Sequence, residues 1–170
     1  MAKGNQIIVS DDPRGRFIEG IISGTPKPGT VMEIKWTVTP GGPSGMDFTY
    51  EAYGTTAADG AKGVGADGDR RTIYVLDRNK LEGKVATEAY ADGDRAFMYV
   101  PFAGEDLNML LEDVAGTGDD HAIGDTLMVD DGTGKLLVTT GDPESEPFQC
   151  LEVVTDPVAD TLALCRYTGQ

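Results

Sequence analysis

The sequence has few of the side chains that carry most enzyme chemistry. Its 170 residues include a single histidine, His121, and two cysteines, Cys150 and Cys165. His121 lies in an acidic stretch that is predicted to be a loop, and one histidine with two distant cysteines lacks the ligand spacing of a zinc site. No Gly-x-Ser-x-Gly sequence marks a nucleophilic serine. We therefore expect a protein that is not an enzyme and that carries no metal and no cofactor.

Basic side chains are scarce as well. The chain has 14 Lys and Arg against 29 Asp and Glu, which gives a formal net charge of -15. Because phosphate binding depends on Lys and Arg, neither nucleic acid nor an anionic membrane is an expected partner. The excess is uneven: residues 1–85 carry 11 acidic and 11 basic side chains, whereas residues 86–170 carry 18 acidic and three basic ones. Dense like charge is costly to desolvate, so the first half is the better candidate for a docking face.

Long apolar runs are absent. The longest run near the N-terminus, Ile7–Val9, has three residues, whereas a secretory signal needs about 7–15 and a membrane-spanning helix about 20. We therefore expect no secretion and no membrane segment. In a protein made in a reducing cytoplasm, Cys150 and Cys165 are expected to be buried thiols, with a disulfide between them as the alternative.

Two kinds of glycine-containing motif invite a ligand-binding interpretation. Gly63–Gly68 matches the G-x-G-x-x-G pattern, but no strand precedes it and no helix follows it, so we do not expect a dinucleotide site. Acidic turns at 67–69, 92–94 and 130–132 could offer oxygen ligands to calcium. The EF-hand pattern is absent, and Asp and Gly are ordinary turn residues, so we interpret these segments as acidic turns.

Short alternating segments are abundant. Between Val31 and Val38, apolar residues alternate with Glu33, Lys35 and Thr37, which predicts a half-buried strand. Many short strands separated by close turns predict an all-β fold, mainly an antiparallel barrel or sandwich, with at most one or two short helices. Further strands are predicted at 16–23, 48–53, 72–76, 96–102, 126–129, 136–140, 148–154 and 161–167.

The connections between these strands are also predictable. Gly24–Gly29 contains two prolines and should join the first two strands as a hairpin or tight corner. The segment 130–134 is a predicted hairpin loop, and 156–160 is predicted to join the last two strands. One segment, Glu105–Val114, has apolar residues at i, i+3, i+4 and i+7 and predicts a short helix, with a strand as the alternative.

We divide the chain into two parts. Residues 1–15 have little to bury after Val9 and are predicted to form a flexible N-terminal arm. Residues 16–170 are predicted to form a single β-rich domain. Within that domain, residues 54–71 hold five glycines and no aromatic residue, which is typical of a long loop.

The order of the turn motifs resembles that of capsid decoration (cement) proteins of tailed bacteriophages. Phe17–Met32, with its Lys-Pro-Gly-Thr-Val turn, is similar to the opening of such proteins. Tyr90–Arg95 resembles their Gly-Asp turn before a central strand, and Ile123–Leu127 with Gly132–Leu136 resembles a later hairpin. Glu152–Arg166 resembles the final strand pair.

This resemblance implies a non-enzymatic protein that binds the outer surface of the assembled phage head and stabilises the capsid lattice against the pressure of packaged DNA. It implies the major capsid protein and other copies of the chain as partners, in a homotrimer, with a dimer as the alternative. It also implies synthesis in the host bacterial cytoplasm and final location in the virion. A ligand that binds only the assembled lattice stabilises it by mass action.

The resemblance also points to a contact site, because an N-terminal arm adds a strand to a capsid protein in some relatives. The segment Gln6–Ser10 suits such strand addition. The alternative is that it forms an ordinary first strand of its own domain. If it is an arm, deleting residues 1–10 should weaken capsid binding and leave the melting transition intact. The candidate capsid-binding residues are Gln6, Ile7, Ile8, Val9 and Ser10.

A second function remains open. The same strand pattern fits a secreted or surface β-sandwich that binds carbohydrate or calcium, and a small hydrolase is a weaker third possibility. A calcium-dependent rise in melting temperature would favour the second function over capsid decoration.

Overall fold

The computed structural model describes residues 6–9, 14–34, 49–53, 72–78, 85–112, 120–130, 132–138, 147–155, 157 and 160–169. In this part of the chain there are ten strands and no helix, which confirms the all-β prediction. None of the described residues forms a helix able to cross a membrane. The strands are β1 (Arg16–Ile22), β2 (Val31–Ile34), β3 (Thr49–Ala52), β4 (Tyr74–Leu76), β5 (Arg95–Val100), β6 (Asp106–Leu110), β7 (Thr126–Val129), β8 (Leu136–Val138), β9 (Phe148–Cys150) and β10 (Leu162–Tyr167).

The first five strands close into a barrel in the order β1-β3-β2-β4-β5. β1 runs antiparallel to β5, from Arg16 opposite Val100 to Ile21 opposite Arg95, and parallel to β3. Closure leaves no free edge, so every barrel strand has two neighbours. The barrel interior is filled by large apolar side chains: Ile22, Met32, Tyr50, Leu76, Tyr90, Ala96 and Met98.

The last five strands form a second sheet in the order β6-β10-β9-β7-β8, with all neighbours antiparallel. The segment 130–134 connects β7 to β8, as predicted for a hairpin loop. At the end of β6, Leu111 bridges Leu136 of β8, and the N–H of Glu112 donates to the Leu136 carbonyl over 2.8 Å. The two outer strands of the sheet therefore approach one another, and the sheet curls toward closure.

The barrel and the second sheet share one core, and the pleat of the barrel strands explains how. Successive residues point to opposite faces of a strand. Leu76 and Met98 point into the barrel, whereas their neighbours Val75 and Tyr99 pack in the cluster formed with the second sheet. β4 and β5 are thus buried on both faces, and β2 contributes Val31 to the shared core in the same way.

The predicted helix at Glu105–Val114 is wrong, because Asp106–Leu110 is strand β6. The helical pattern on which the prediction was based did not include Met109. In the structure Leu107, Met109 and Leu111 follow a period of two and lie in the shared core. Leu110, on the opposite face, is also buried, and together with Leu107 and Leu111 it produces the helix-like spacing.

Gly24–Gly29, which was predicted to be a hairpin or a tight corner, is a corner. β3 lies between β1 and β2 in the barrel, so the first two strands are not paired with each other. The corner is held by hydrogen bonds to other elements: the Ser23 N–H donates to the Tyr50 carbonyl over 2.7 Å, and the Gly29 N–H to the Leu76 carbonyl over 2.8 Å. Pairing with β3 and β5 uses both edges of β1, which leaves no edge for β2.

Some sequence predictions lie outside the described residues. These are the G-x-G-x-x-G motif at 63–68, the acidic turn at 67–69, the long loop at 54–71, residues 35–38 of the strand predicted at 31–38, and residues 1–5 and 10–13 of the predicted arm, including Ser10 of the candidate contact site.

Candidate docking site

The predicted capsid-binding segment lies against β6 of its own chain. Ile8 forms an antiparallel bridge with Leu107, the Val9 N–H donates to the Asp106 carbonyl over 3.0 Å, and the Asn108 N–H donates to the Ile7 carbonyl over 2.7 Å. The Asn108 side-chain amide donates to the Gln6 carbonyl over 2.6 Å. For Gln6–Val9 the geometry is that of a short strand covering the outer edge of the second sheet.

The four described residues of this segment divide into an anchor and an exposed part. Ile7 is 1 % exposed and belongs to the shared core, whereas Val9 is 39 % exposed. Gln6 is also exposed, and Ile8 is half-buried. Only the exposed residues are available to a partner while the segment remains paired, and capsid contact by them stays a prediction.

Glu105, which precedes β6, holds the chain that enters β1. Its carboxylate accepts hydrogen bonds from the backbone N–H groups of Arg14, Gly15 (3.1 Å) and Phe102 (2.7 Å). The Tyr99 hydroxyl donates to the same carboxylate over 2.9 Å, and the Gly15 N–H also donates to the Tyr99 oxygen over 2.8 Å. One buried carboxylate thus ties together the start of β1, the end of β5 and the β5–β6 turn.

The electrostatics of this pair follow from burial and hydrogen bonding. Burial alone would raise the pKa of Glu105, but the donors at Phe102, Arg14, Tyr99 and Gly15 outweigh it and hold the pKa below its ordinary value. Burial, together with the hydrogen bond to Glu105, raises the pKa of Tyr99 to about 12. At neutral pH the carboxylate is therefore charged and the phenol neutral, which is the arrangement that the hydrogen bonds require.

Large apolar side chains are exposed around this buried pair. Phe17 in β1 is 49 % exposed and packs against Tyr99 with tilted rings, whose centroids are 5.2 Å apart. Phe102, whose N–H binds Glu105, is 61 % exposed. Val9 is bonded to Asp106 next to Glu105. We call these three residues, Val9, Phe17 and Phe102, the corner patch.

A second exposed apolar pair lies on the second sheet. His121 and Val154 form an antiparallel bridge, which brings the segment after His121 close to the segment before Val154. Ile123 and Val153 in these segments are 67 % and 65 % exposed. This pair matches the two phenylalanines of the corner patch in exposure and differs in its surroundings.

A cleft of about 320 Å³ lies where the Gly24–Gly29 corner meets the second sheet. Lys27 binds Asp160 over 2.7 Å, and Lys135 lies 3.4 Å from Glu112 and 3.7 Å from Asp160. The hydrogen bond from Lys27 is the main reason that the pKa of Asp160 is lowered. Both lysines are paired with carboxylates, so the cleft presents no excess positive charge. The cleft joins the barrel to the second sheet.

Two of the three predicted acidic turns, at 92–94 and 130–132, fall in the described part of the chain apart from residue 131, and their aspartates accept hydrogen bonds. Asp92 accepts from the Gly24 N–H over 2.8 Å, and Asp94 accepts from the Ala91 N–H over 2.8 Å. Asp130 accepts from the Thr133 hydroxyl over 2.7 Å. These contacts are what turn chemistry predicts. Among the described residues, no three His, Cys, Asp or Glu side chains are grouped as a metal ion would need.

The division of charge along the sequence follows the division of the fold. Residues 1–100, which supply all five barrel strands, contain 14 acidic and 12 basic side chains. Residues 106–170, which supply the second sheet, contain 14 acidic and two basic ones. The corner patch thus takes Phe17 from the nearly neutral part, whereas Ile123 and Val153 lie in the strongly acidic part.

Comparison with solved structures gives a likeness of fold. No protein-family profile and no curated protein matches the sequence. Among solved structures, the fold is similar to the crystal structure of the head fiber gp8.5 N base in bacteriophage phi29, with a TM-score of 0.52 and 10 % sequence identity. The similarity covers 92 % of this chain and 96 % of that chain. At this identity the likeness concerns the fold.

Sequence reasoning found the N-terminal segment but missed Glu105, Tyr99 and the corner patch. The sequence predicts Glu105 only as the first residue of a short helix. Its partners Arg14 and Gly15 lie about 90 positions away, and no local pattern reports a contact at that separation.

Proposed function

We propose that this chain is a structural protein of a bacteriophage head, and specifically a decoration protein that binds the outer surface of the assembled capsid and stabilises its lattice. The observation that carries the proposal is a fold shared, over nearly the whole of both chains, with the base of a phage head fiber. The order of turn motifs from Phe17 to Arg166 supports it independently, because it rests on sequence and not on the fold.

The proposal includes an orientation on the capsid. The corner patch exposes two phenylalanines next to a rigid, hydrogen-bonded Glu105–Tyr99 pair, and aromatic side chains on rigid backbone are typical of interface anchors. The acidic second sheet would face solvent, where its charge costs little and makes particles repel one another. In this orientation the N-terminal segment contributes Val9 to the contact.

The partners and the location follow from the same proposal. The protein would bind the major capsid protein, associate with other copies of itself as a homotrimer, and be made in the bacterial cytoplasm before it joins the virion. Symmetric copies on a symmetric shell would increase avidity without any new contact. Sedimentation equilibrium of the purified protein would distinguish the trimer from a dimer or a monomer.

Co-sedimentation tests the function. Purified protein is mixed at micromolar concentration with expanded, undecorated capsids of the phage that encodes it, and the capsids are pelleted. We expect saturable recovery in the pellet and a higher melting temperature of the capsid shell. Protein that stays in the supernatant would contradict the proposed function.

Two pairs of substitutions test the orientation separately. Phe17→Ser with Phe102→Ser should reduce capsid affinity at least about tenfold, because aromatic anchors dominate interfaces. Ile123→Ser with Val153→Ser, a matched exposed pair on the acidic sheet, should leave affinity unchanged. If wild-type protein binds and only the second pair weakens binding, the function stands and the orientation is wrong.

A further inference from the structure

The two cysteines face each other across neighbouring strands. Cys150 of β9 and Cys165 of β10 are direct partners in the antiparallel register, and both are fully buried free thiols. They lie in the core shared by the barrel and the second sheet. Fourteen residues separate them along the chain, so a bond between them would close a short loop.

The hydrogen-bond pattern shows which kind of pair they form. In an antiparallel ladder, hydrogen-bonded pairs alternate with pairs that share no hydrogen bond. The Leu151 N–H donates to the Leu164 carbonyl over 2.9 Å, and the Thr168 N–H donates to the Pro147 carbonyl over 2.8 Å. These bonds place the hydrogen-bonded pairs at odd positions of β9, so Cys150 belongs to a pair without hydrogen bonds.

The backbone hydrogen bonds of Cys150 confirm that it shares none with Cys165. Its N–H donates to the Asp125 carbonyl over 2.8 Å, and its carbonyl accepts from the Gly124 N–H over 2.9 Å. Both groups therefore point away from β10. In such pairs the Cα atoms lie about 4.5 Å apart and the side chains approach most closely. That separation falls inside the range of about 4.4–6.8 Å that disulfides use.

We propose that Cys150 and Cys165 form an intramolecular cross-strand disulfide in the folded protein when it meets an oxidising environment. The proposal rests on the strand register and does not depend on the proposed function. It adds a covalent link between β9 and β10 to a protein that is expected to be made with both thiols reduced.

The chemistry needs an oxidant, and a small disulfide compound supplies it. The Cys150 thiolate attacks one sulfur of the small disulfide, which releases one thiolate and leaves a mixed disulfide on Cys150. The Cys165 thiol then loses its proton, and the resulting thiolate attacks the Cys150 sulfur and releases the second small thiol as a thiolate. Two protein thiols are oxidised, and one small disulfide is reduced to two thiols.

The environment of Cys150 favours the first step. A hydrogen bond with Cys165 lowers the pKa of the Cys150 thiol to about 7, although burial opposes the shift. A substantial fraction is therefore thiolate near neutral pH, and thiolate is the reactive form. Access to the buried sulfur requires β9 to open locally, and β9 is only three residues long.

The test uses cystamine, a small cationic disulfide that the acidic protein attracts, at about pH 8 and below the melting temperature. Over hours to days we expect the free thiols, counted after denaturation, to fall from two to none. The mass of the intact chain should decrease by two hydrogen atoms, with no added cystamine half and no covalent dimer. Closing this loop should raise the melting temperature by about 5–10 °C, reversibly with a reducing agent.

Single variants control for other thiol chemistry. Cys150→Ser and Cys165→Ser should each keep one thiol or a mixed disulfide and show no rise in melting temperature. Two thiols that persist in the folded wild type, a covalent dimer, or a stable double mixed disulfide would overturn the proposal. So would a disulfide that forms only after the protein is unfolded.

Discussion

At the scale of single residues, Glu105 makes the sharpest prediction. It is 5 % exposed and accepts hydrogen bonds from four groups on three parts of the chain. Glu105→Gln keeps the shape but replaces one acceptor oxygen with a donor, so the free energy of unfolding at pH 7 should fall by about 2–3 kcal/mol. Chemical denaturation checks this value. Glu88→Gln, which changes an exposed carboxylate that binds only its own turn, should alter stability by less than about 0.5 kcal/mol.

The pH dependence of this difference follows from the lowered pKa of Glu105. A carboxyl group with a folded-state pKa below its ordinary value of 4.5 contributes stability that is present above that pH and is lost as pH falls toward the folded-state pKa. The stability gap between wild type and Glu105→Gln should therefore narrow below about pH 4.5. A gap that is the same at pH 7 and at low pH would show that the charge of Glu105 does not stabilise the fold.

Gly134 makes a second prediction at this scale. Its φ is +66°, and a Cβ atom there would collide with the Val31 carbonyl and lie 2.8 Å from the Thr30 methyl group. Gly132 has a φ of +99° with open space around it. Gly132→Ala should cost about 1–2 kcal/mol from backbone strain, and Gly134→Ala at least about 3 kcal/mol, because the barrel and sheet must separate. Equal losses in urea unfolding would mean that the contact at Gly134 is not tight.

Residue types near turns were predictable from the sequence, whereas long-range partners were not. Asp92 and Asp94 behave as the turn residues they were taken to be. The partners of Glu105 could not be predicted, because β1 and β5 are brought together only by barrel closure.

At the scale of elements, the N-terminal segment Gln6–Val9 contributes to the stability of the domain. Ile7 fills a place in the core, so Ile7→Ala should reduce the free energy of unfolding by about 2–4 kcal/mol, whereas Val9→Ala should change it by less than about 0.5 kcal/mol. This revises the expectation from the sequence that deleting residues 1–10 leaves the melting transition intact: the deletion should lower the melting temperature. An unchanged melting temperature would show that the segment is an independent arm.

All the described strands except β6 were predicted, including β4 and β5, which are buried on both faces. β1, β7 and β10 lie within one or two residues of their predicted bounds. β6 was missed because Leu107, Leu110 and Leu111 match a helical spacing, and with Met109 also buried the segment does not show a clear period. Strand order is likewise not local, so the sequence does not show that β3 lies between β1 and β2.

At the scale of the whole molecule, the net charge of -15 is distributed unevenly between the two parts of the fold. The chain builds a nearly neutral barrel first and a strongly acidic sheet second. The counts along the sequence predicted this asymmetry, but only the fold shows that the two parts are separate layers joined by one core. The asymmetry is what gives the proposed decoration protein an inner and an outer side.

The measurement that tests this account most directly is an electron cryo-microscopy map of capsids decorated with the purified protein. We expect extra density on the outer surface in which the ends of β1 and β5, with Phe17 and Phe102, touch the capsid and the sheet β6–β10 faces solvent. Capsids without added density, or a map in which the acidic sheet forms the contact, would contradict the account.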